Sequence, residues 1–391
     1  MEYVKLEEIC TIVSGGTPSR SKPEYWNNGN IPWIKIKDMK SKYIDSAEEF
    51  ITEEGLNNSS TKMLKSDTIL YSIFATLGEV GILKIDACTN QAIAGLSLKE
   101  NSNILKEYLY YYLKSKKKDV NNLGRGVAQN NINLSLLRKF KIPVMPLHQQ
   151  KKIIEVLDIV SSTINNYERE LILLDELVKA RFVEMFGRPT DKITRYPKVK
   201  IANLIKEGKA LIKAGPFGSS LKKEFYVKKG FKIYGQEQVI KDDPTFGDYY
   251  INEERFNSLK SCEVHAGDIL ISLVGTCGKT MIMPENFEPG IINPRLLKIT
   301  FDAEFIIPIY FKYFFGSDDL QKTLNSASGH STMNVVNVGM LKNVELIMAP
   351  IELQNQFASF VEEIDKSRSR IQKSLEASQE LFDSLMQDYF G

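Results

Sequence analysis

Three histidines, four cysteines and one glycine–lysine run are the places where this sequence offers chemistry, and none has the spacing that chemistry needs. His148, His265 and His330 are too dispersed for a hydrolase triad or a metal centre. Cys10, Cys88, Cys262 and Cys277 form no CxxC pair and keep no fixed distance to a histidine, so they read as buried thiols in a reducing compartment rather than a zinc site. Gly275-Thr-Cys-Gly-Lys-Thr280 invites a nucleotide-binding reading. A phosphate loop of the form GxxxxGK[ST] requires glycine at position 273, however, and Leu273 stands there. The run reads better as a glycine turn between two strands, echoed by Leu77-Gly78. Asn293-Pro294-Arg295 has only the first two letters of the loop with which an adenine methyltransferase grips a flipped base, and no glycine-rich cofactor loop precedes it. No carboxylate cluster with a lysine suggests a metal nuclease. The expectation is a chain with no catalysis of its own, binding no cofactor and no metal.

What the sequence does offer is residues suited to reading nucleic acid. Arginine and lysine match guanine, asparagine and glutamine match adenine, and cations or backbone amides match phosphate. In the first part of the chain, the loop Thr17-Pro-Ser19-Arg20-Ser-Lys22 is small, polar and basic after two glycines. Ile34-Lys35-Ile-Lys37-Asp38 alternates, which predicts that Lys35 and Lys37 share one strand face. Gly124-Arg125-Gly-Val-Ala-Gln129-Asn130-Asn131 is a glycine-flanked polar loop. Later come Ser219-Ser220-Leu-Lys222-Lys223, then Tyr234-Gly-Gln236-Glu-Gln238, and Gly329-His330-Ser331-Thr332. Lys116-Lys-Lys118 reads as a solvated helix end instead.

The elements that must position these residues are written twice. Pro146, Gln150, Leu171, Glu176, Leu177, Phe186 and Gly187 recur as Pro350, Gln354, Leu375, Glu380, Leu381, Phe390 and Gly391, every pair 204 positions apart. Asn133 and Leu137 keep that offset to Asn337 and Leu341. Upstream the offset drifts: Val4-Lys5-Leu6 resembles Val199-Lys200-Ile201, Asp67 aligns with Asp268, and Asn90 pairs with Asn293. Each copy reads as a β-rich domain with short apolar runs divided by Gly, Pro, Asn and Asp, followed by a regular helix. The predicted division is a first domain at 1–145, a helix at 146–188, a second domain at 189–349 and a last helix at 350–391.

The two helices carry a seam. Ile153, Leu157, Val160, Ile164, Tyr167, Leu171, Leu174 and Val178 are spaced alternately by four and three, the 3.5-residue repeat of a coiled coil. The positions 204 further on are Phe357, Val361, Ile364, Arg368, Ile371, Leu375, Ser378 and Phe382, apolar except for Arg368 and Ser378, which interrupt the stripe as candidate register markers. Antiparallel pairing of helices roughly 55 Å long, at 1.5 Å per residue, would put one domain at each end. The predicted fold class is α+β: two β-rich domains separated by two long helices in an antiparallel coiled coil, a pseudo-twofold tandem duplication.

These residues resemble the specificity subunit of Type I restriction–modification systems. The resemblance covers essentially the whole chain. It rests on Ser14-Gly-Gly-Thr-Pro-Ser19, Tyr25-Trp26, Ile31-Pro-Trp-Ile34, Asn131-Ile-Asn133 with Leu137, Ile142-Pro143, and Pro146 with Gln150. The second copy adds Gly215-Pro-Phe-Gly-Ser219, Asn337 with Leu341, and Pro350 with Gln354. Where the pattern commonly has a Glu before the Gln, this chain has Gln149 and Leu353. The resemblance implies two target-recognition domains reading a bipartite asymmetric site on double-stranded DNA. It also implies two methyltransferase subunits docked on the helices, S-adenosylmethionine held by those subunits, and motor–nuclease subunits in the full complex.

Composition leaves that reading open. Of 391 residues, 43% are hydrophobic and 26% charged, as in an ordinary globular chain with room for two cores. No run approaches 18 apolar residues, and the patterned start Met1-Glu-Tyr-Val-Lys-Leu-Glu-Glu-Ile-Cys10 is unlike a signal peptide, so a cytoplasmic location is expected. A net charge of +2 neither supports nor excludes nucleic acid. A two-headed scaffold of the same architecture that binds protein rather than DNA is the competing reading.

Overall fold

The computed structural model describes residues 2–124, 132–273, 278–327 and 337–391. The chain forms two compact units, Met1–Glu168 with Lys373–Gly391, and Arg169–Gln372. Their boundaries cross the two long helices, Leu147–Phe186 and Ile351–Phe390, so each unit contains a head and one half of each helix.

The first unit holds strands β1 (Glu2–Lys5), β2 (Cys10–Ser14), β3 (Ile31–Ile34), β4 (Tyr43–Ile44), β5 (Glu49–Ile51), β6 (Ile69–Ser72), β7 (Val80–Leu83), β8 (Cys88–Thr89), β9 (Ile93–Leu98) and β10 (Lys141–Val144). They make three small sheets ordered β2-β9-β6-β7-β4, β5-β3-β8 and β1-β10. The second unit holds β11 (Lys198–Lys200), β12 (Ala210–Ala214), β13 (Tyr226–Val227), β14 (Phe231–Tyr234), β15 (Tyr250–Ile251), β16 (Ile269–Ser272), β17 (Thr280–Ile282), β18 (Gly290–Ile292), β19 (Leu296–Phe301) and β20 (Glu345–Ile347). Its sheets are ordered β12-β19-β16-β17, β13-β15-β14-β18 and β11-β20. Apart from β4 and β13, one topology occurs twice.

The registers show how far the repetition goes. Val4 pairs with Ile142 and Lys5 with Lys141; Val199 pairs with Leu346 and Lys200 with Glu345. Ile31 faces Ile51, and Phe231 faces Ile251, an offset of 200 on both strands. Ile69 faces Ile82, and Ile269 faces Ile282, again 200 apart. This corrects one alignment. Asp67 is the counterpart of Gly267, not of Asp268, and both sit at positive φ in the turn before the strand (+71° and +80°). The equivalent of Asp268 is Thr68. Asn90 and Asn293 are mates as predicted: each side-chain oxygen accepts from the amide two residues on, at 3.1 and 2.8 Å.

Why the sequence builds these helices is plain at their first turns. Pro146 and Pro350 supply carbonyls that accept from Gln150 and Gln354 at 3.1 Å, opening each helix where a proline costs no hydrogen bond. Each glutamine, fully buried, then clasps its head. Gln150 accepts from the Leu105 amide (2.8 Å) and donates to the carbonyls of Asn103 and Met145 (both 2.7 Å). Gln354 accepts from Ile307 (3.1 Å) and donates to Phe305 and Ala349 (both 2.9 Å). Asn133 and Asn337 likewise have one job, capping the short helices Leu134–Arg138 and Val338–Asn343.

Both cores close on a helix pair. In the first unit, Ile153 and Leu157 of the first long helix share a core with Phe382, Met386 and Phe390 of the second. In the second unit, Val178, Phe182 and Phe186 share a core with Phe357 and Val361. The start of one helix therefore lies with the end of the other in each unit, which makes the pairing antiparallel. The aromatic helices repeat this logic: Tyr108 packs on Phe390 at 5.3 Å, and its counterpart Tyr310 packs on Phe186 at 4.7 Å.

The predicted seam falls on the inward faces. Leu375 is buried; Val160, Ile164 and Ile364 pack against the cores; Leu171, Leu174 and Ile371 are half-buried. Of the two interruptions, Arg368 reaches across the pair to Asp175 while also bonding Asp365. Ser378 donates back to Ser374 of its own helix at 2.8 Å.

Two expectations about side-chain chemistry meet the structure directly. Cys10, Cys88 and Cys262 are buried free thiols, and burial pushes Cys10 up to about 12 and Cys88 up to about 11, leaving both as thiols at neutral pH. Cys277 lies outside the described residues. Lys116-Lys-Lys118 is not simply solvated. Lys116 donates to the Phe390 carbonyl at 2.8 Å, Lys117 pairs with Glu79 and Lys118 with Asp383.

Candidate nucleic-acid interface

In both heads the candidate loop leaves the first large-sheet strand beside an asparagine turn. Gly15 follows β2 and Gly215 follows β12, and a Cβ at either would collide with the carbonyl oxygen of Asn90 or Asn293. Only glycine lets the loop start so close to the turn. The nearby cap is also shared. The Lys35 amide donates to Asp38 at 2.8 Å, and the Gly235 amide donates to Gln238 at 2.9 Å. Residues 15 to 55 of the first head thus map onto residues 200 positions later.

On this common frame the first head gathers its predicted cations. Arg20 lies with its guanidinium carbon 3.5 Å from the Trp26 ring centroid, and Trp26 meets Trp33 edge-on at 5.0 Å and 85°. Glu49, on β5, pairs with both Arg20 and Lys35. The Lys35 hydrogen bond holds the Glu49 carboxyl below its ordinary range; burial opposes it, and the Arg20 hydrogen bond adds to the lowering. Lys37 pairs with exposed Glu48. Lys22 donates to the Tyr25 hydroxyl at 2.9 Å, which raises its own pKa. Thr17 bonds Gln91, and Ser19 meets Ser21 at 2.8 Å. Alternation does not hold at Lys35 and Lys37: β3 ends at Ile34, and the chain turns into a short 3-10 helix, Ile36–Asp38.

The second head is arranged alike but equipped differently. Ser219 and Ser220 lie in the 3-10 turn Gly218–Ser220, followed by exposed Lys222 and Lys223, with Lys222 3.6 Å from Glu224. Gln236 is half-buried at the start of the helix Gln236–Lys241. Gln238 is corrected: it is 3% exposed and spends both amide groups on backbone, accepting from Gly235 and donating to Phe246 (2.8 Å). It shapes the loop and presents nothing outward. Arg125, Gln129, Asn130, His330 and Ser331 lie outside the described residues. So does part of the glycine–lysine run; its described end, Gly278 at φ +76°, matches Gly78 at φ +79° as a turn between strands.

Some residues lie outside the predicted DNA contacts. Glu49, Trp26 and Trp33 organise Arg20, yet the register that brings β5 beside β3 is visible only in the fold. Phe217 is 88% exposed at the crest of the second loop. Its signal was an aromatic between Pro216 and Gly218, with no strand period to bury it. On the first long helix, Ile159 in one unit and Ile172, Leu173 and Leu177 in the other point to solvent, Ile159 being 65% exposed.

Among the described residues no group of three or more His, Cys, Asp or Glu side chains is placed to hold a metal ion. No described helix is long and apolar enough to cross a membrane.

Comparison with known proteins agrees with this architecture. The model of the Type I restriction modification DNA specificity domain matches residues 1–174 and again 203–379. The specificity subunit of the Type I restriction enzyme EcoR124I/EcoR124II of Escherichia coli is 37% identical over 164 residues, 40% of each chain. That of the Type I restriction enzyme MjaIX of Methanocaldococcus jannaschii is 30% identical over 187 residues, 46% of this chain and 43% of its own. The matches thus span less than half the length of these relatives. Both are named specificity subunits. The crystal structure of the Type-I restriction-modification system S subunit from M. genitalium covers 100% of this chain and 96% of its own at 15% identity, with a TM-score of 0.53, a likeness of fold. With the family domain matched in both halves of a duplicated chain, this protein belongs to the Type I restriction modification DNA specificity family.

Proposed function

We propose that this chain is the DNA sequence-specificity subunit of a Type I restriction–modification complex, non-catalytic itself, with each head reading one half of a bipartite asymmetric site. The observation that carries this is a repeated frame with exchanged residues at and around its loops. At positions 200 apart, Arg20 is matched by Ser220, Lys35 by Gly235, Lys37 by Glu237 and Glu49 by Tyr249, while the buried clasps and caps are retained. Two copies selected only to hold together would have no need to diverge at the loops. Two copies that read different base sequences would have to diverge there.

The long helices then act as the spacer between half-sites and as the platform for two methyltransferase subunits, which bind S-adenosylmethionine and carry out the chemistry. The solvent-facing Ile159, Ile172, Leu173 and Leu177 support a protein-docking role for this surface. Motor–nuclease subunits would join this assembly in the cytoplasm. In the heads, Thr17, Ser19, Arg20, Lys22, Lys35, Lys37, Ser219, Ser220, Lys222, Lys223 and Gln236 are the described candidates for DNA contact.

The direct test mixes the chain with its cognate methyltransferase and measures binding to duplex DNA as salt rises from about 50 to 200 mM. Steep loss of affinity, together with methylation confined to one split sequence, is the expected result. Salt-insensitive association with a protein partner and no DNA affinity would support the scaffold reading instead.

A further inference from the structure

Resting on that reading, we propose that Arg20 is a fixed guanine reader, and that the two heads differ in their targets partly because the second head lacks it. A guanidinium matches the O6 and N7 acceptors of guanine with two parallel N–H bonds, provided its plane is held. Arg20 is held on two sides. Trp26 lies under its face at 3.5 Å, with Trp33 edge-on behind, and Glu49 takes Nη2. Its side chain remains 54% exposed, and with one Nη2 hydrogen on Glu49 the second Nη2 hydrogen and its neighbour on Nη1 or Nε are left as a fork for a base edge. A mobile lysine suffices for a phosphate. A fork clamped between an indole face and a carboxylate has already lost the rotamer freedom that bidentate recognition of one base would otherwise cost.

Glu49 itself is anchored by Lys35, which is half-buried at the end of β3, so the clamp belongs to the sheet rather than to the loop alone. At the equivalent positions of the second head Ser220 stands for Arg20 and Gly235 for Lys35, and Tyr226 meets Tyr249 at 5.6 Å where Trp26 and Glu49 stand in the first. Glu49 is accordingly a positioning residue and Arg20 the contact.

The test compares methylated motifs in cells expressing the methyltransferase with the wild-type chain, Arg20→Lys, Glu49→Gln, or Lys22→Ala. Arg20→Lys keeps the charge and loses the fork. One guanine position, in the half-site that changes when residues 1–145 are exchanged, should become degenerate, with discrimination there falling about 5- to 150-fold. Glu49→Gln should loosen the same position less. Lys22→Ala should lower methylation evenly without altering the motif. An unchanged motif in Arg20→Lys, or an even loss at every sequence, overturns the assignment, and Glu49→Gln decides the matter if Arg20→Lys does not fold. A wild-type bipartite motif with no guanine in that half-site overturns this assignment alone. No wild-type motif at all overturns the functional reading beneath it.

Discussion

Gln150 and Gln354 do the same work 204 positions apart: each is buried at the start of a long helix and ties three backbone groups of its own head to that helix. The repeat is thus a repeat of joints. Replacing either glutamine by alanine strips two carbonyls and one amide of their buried partner, at sites that are mostly part-buried. Gln150→Ala and Gln354→Ala should each cost about 2–4 kcal/mol in denaturant unfolding, and a loss below about 1 kcal/mol would mean that water replaces the clasp.

A second joint occurs in one head only. Asp268 is fully buried and accepts from Lys298 at 2.6 Å and from the His265 amide at 2.8 Å. Lys298→Met leaves that carboxylate without its lysine, held only by the His265 amide and the Thr300 hydroxyl, and should destabilise by about 3–5 kcal/mol. Adding Asp268→Leu should recover much of the loss, since no lone charge then remains. Equal damage in single and double variants would assign the cost to packing instead.

Arg368 and Asp175 bridge the helix pair at its half-exposed surface. Arg368→Leu, at a seam position, should change stability by less than about 1 kcal/mol. A large loss in unfolding experiments would show that the bridge sets the helix register.

Glu49 gives the first head a dependence on pH. Its folded carboxyl titrates below the unfolded one because Lys35, and next Arg20, favour the charged form. The stability this contributes is fully present above the unfolded value of about 4.3 and is lost as pH falls through the lower folded value. Glu49→Gln should therefore be less stable than wild type at neutral pH, with the gap closing in acid. A gap that persists below about pH 3 would assign the effect to hydrogen bonding rather than charge.

Much of this was legible in the sequence, and the failures have physical causes. The seam was readable because a 3.5-residue repeat survives any tertiary setting, and even Arg368 stood out as its interruption. The constant offset through Gln150 and Gln354 was readable because buried joints tolerate little change. Asp67 was paired with Asp268 because like letters attract alignment, whereas the shared property is a left-handed turn that Asp67 and Gly267 both adopt. Gln238 looked like a reader because an amide that caps a turn and one that reads adenine are spelt the same. Glu49 went unnoticed because its partners come from a strand neighbour, which only the sheet register supplies.

The spacer role has its own signature. Four residues, about one helical turn, added to each long helix at matching seam positions should widen the gap between half-sites and leave both half-sites intact. Altered half-sites would mean that helix length and reading are not separable.

Methylome sequencing of cells with and without this chain shows whether two unlike heads read two halves of one DNA site for a methyltransferase. The expected result is one split, asymmetric methylated sequence that is present only with the chain and changes in one half when residues 1–145 are exchanged. A methylome indifferent to the chain, with its methyltransferase present and active, would contradict it.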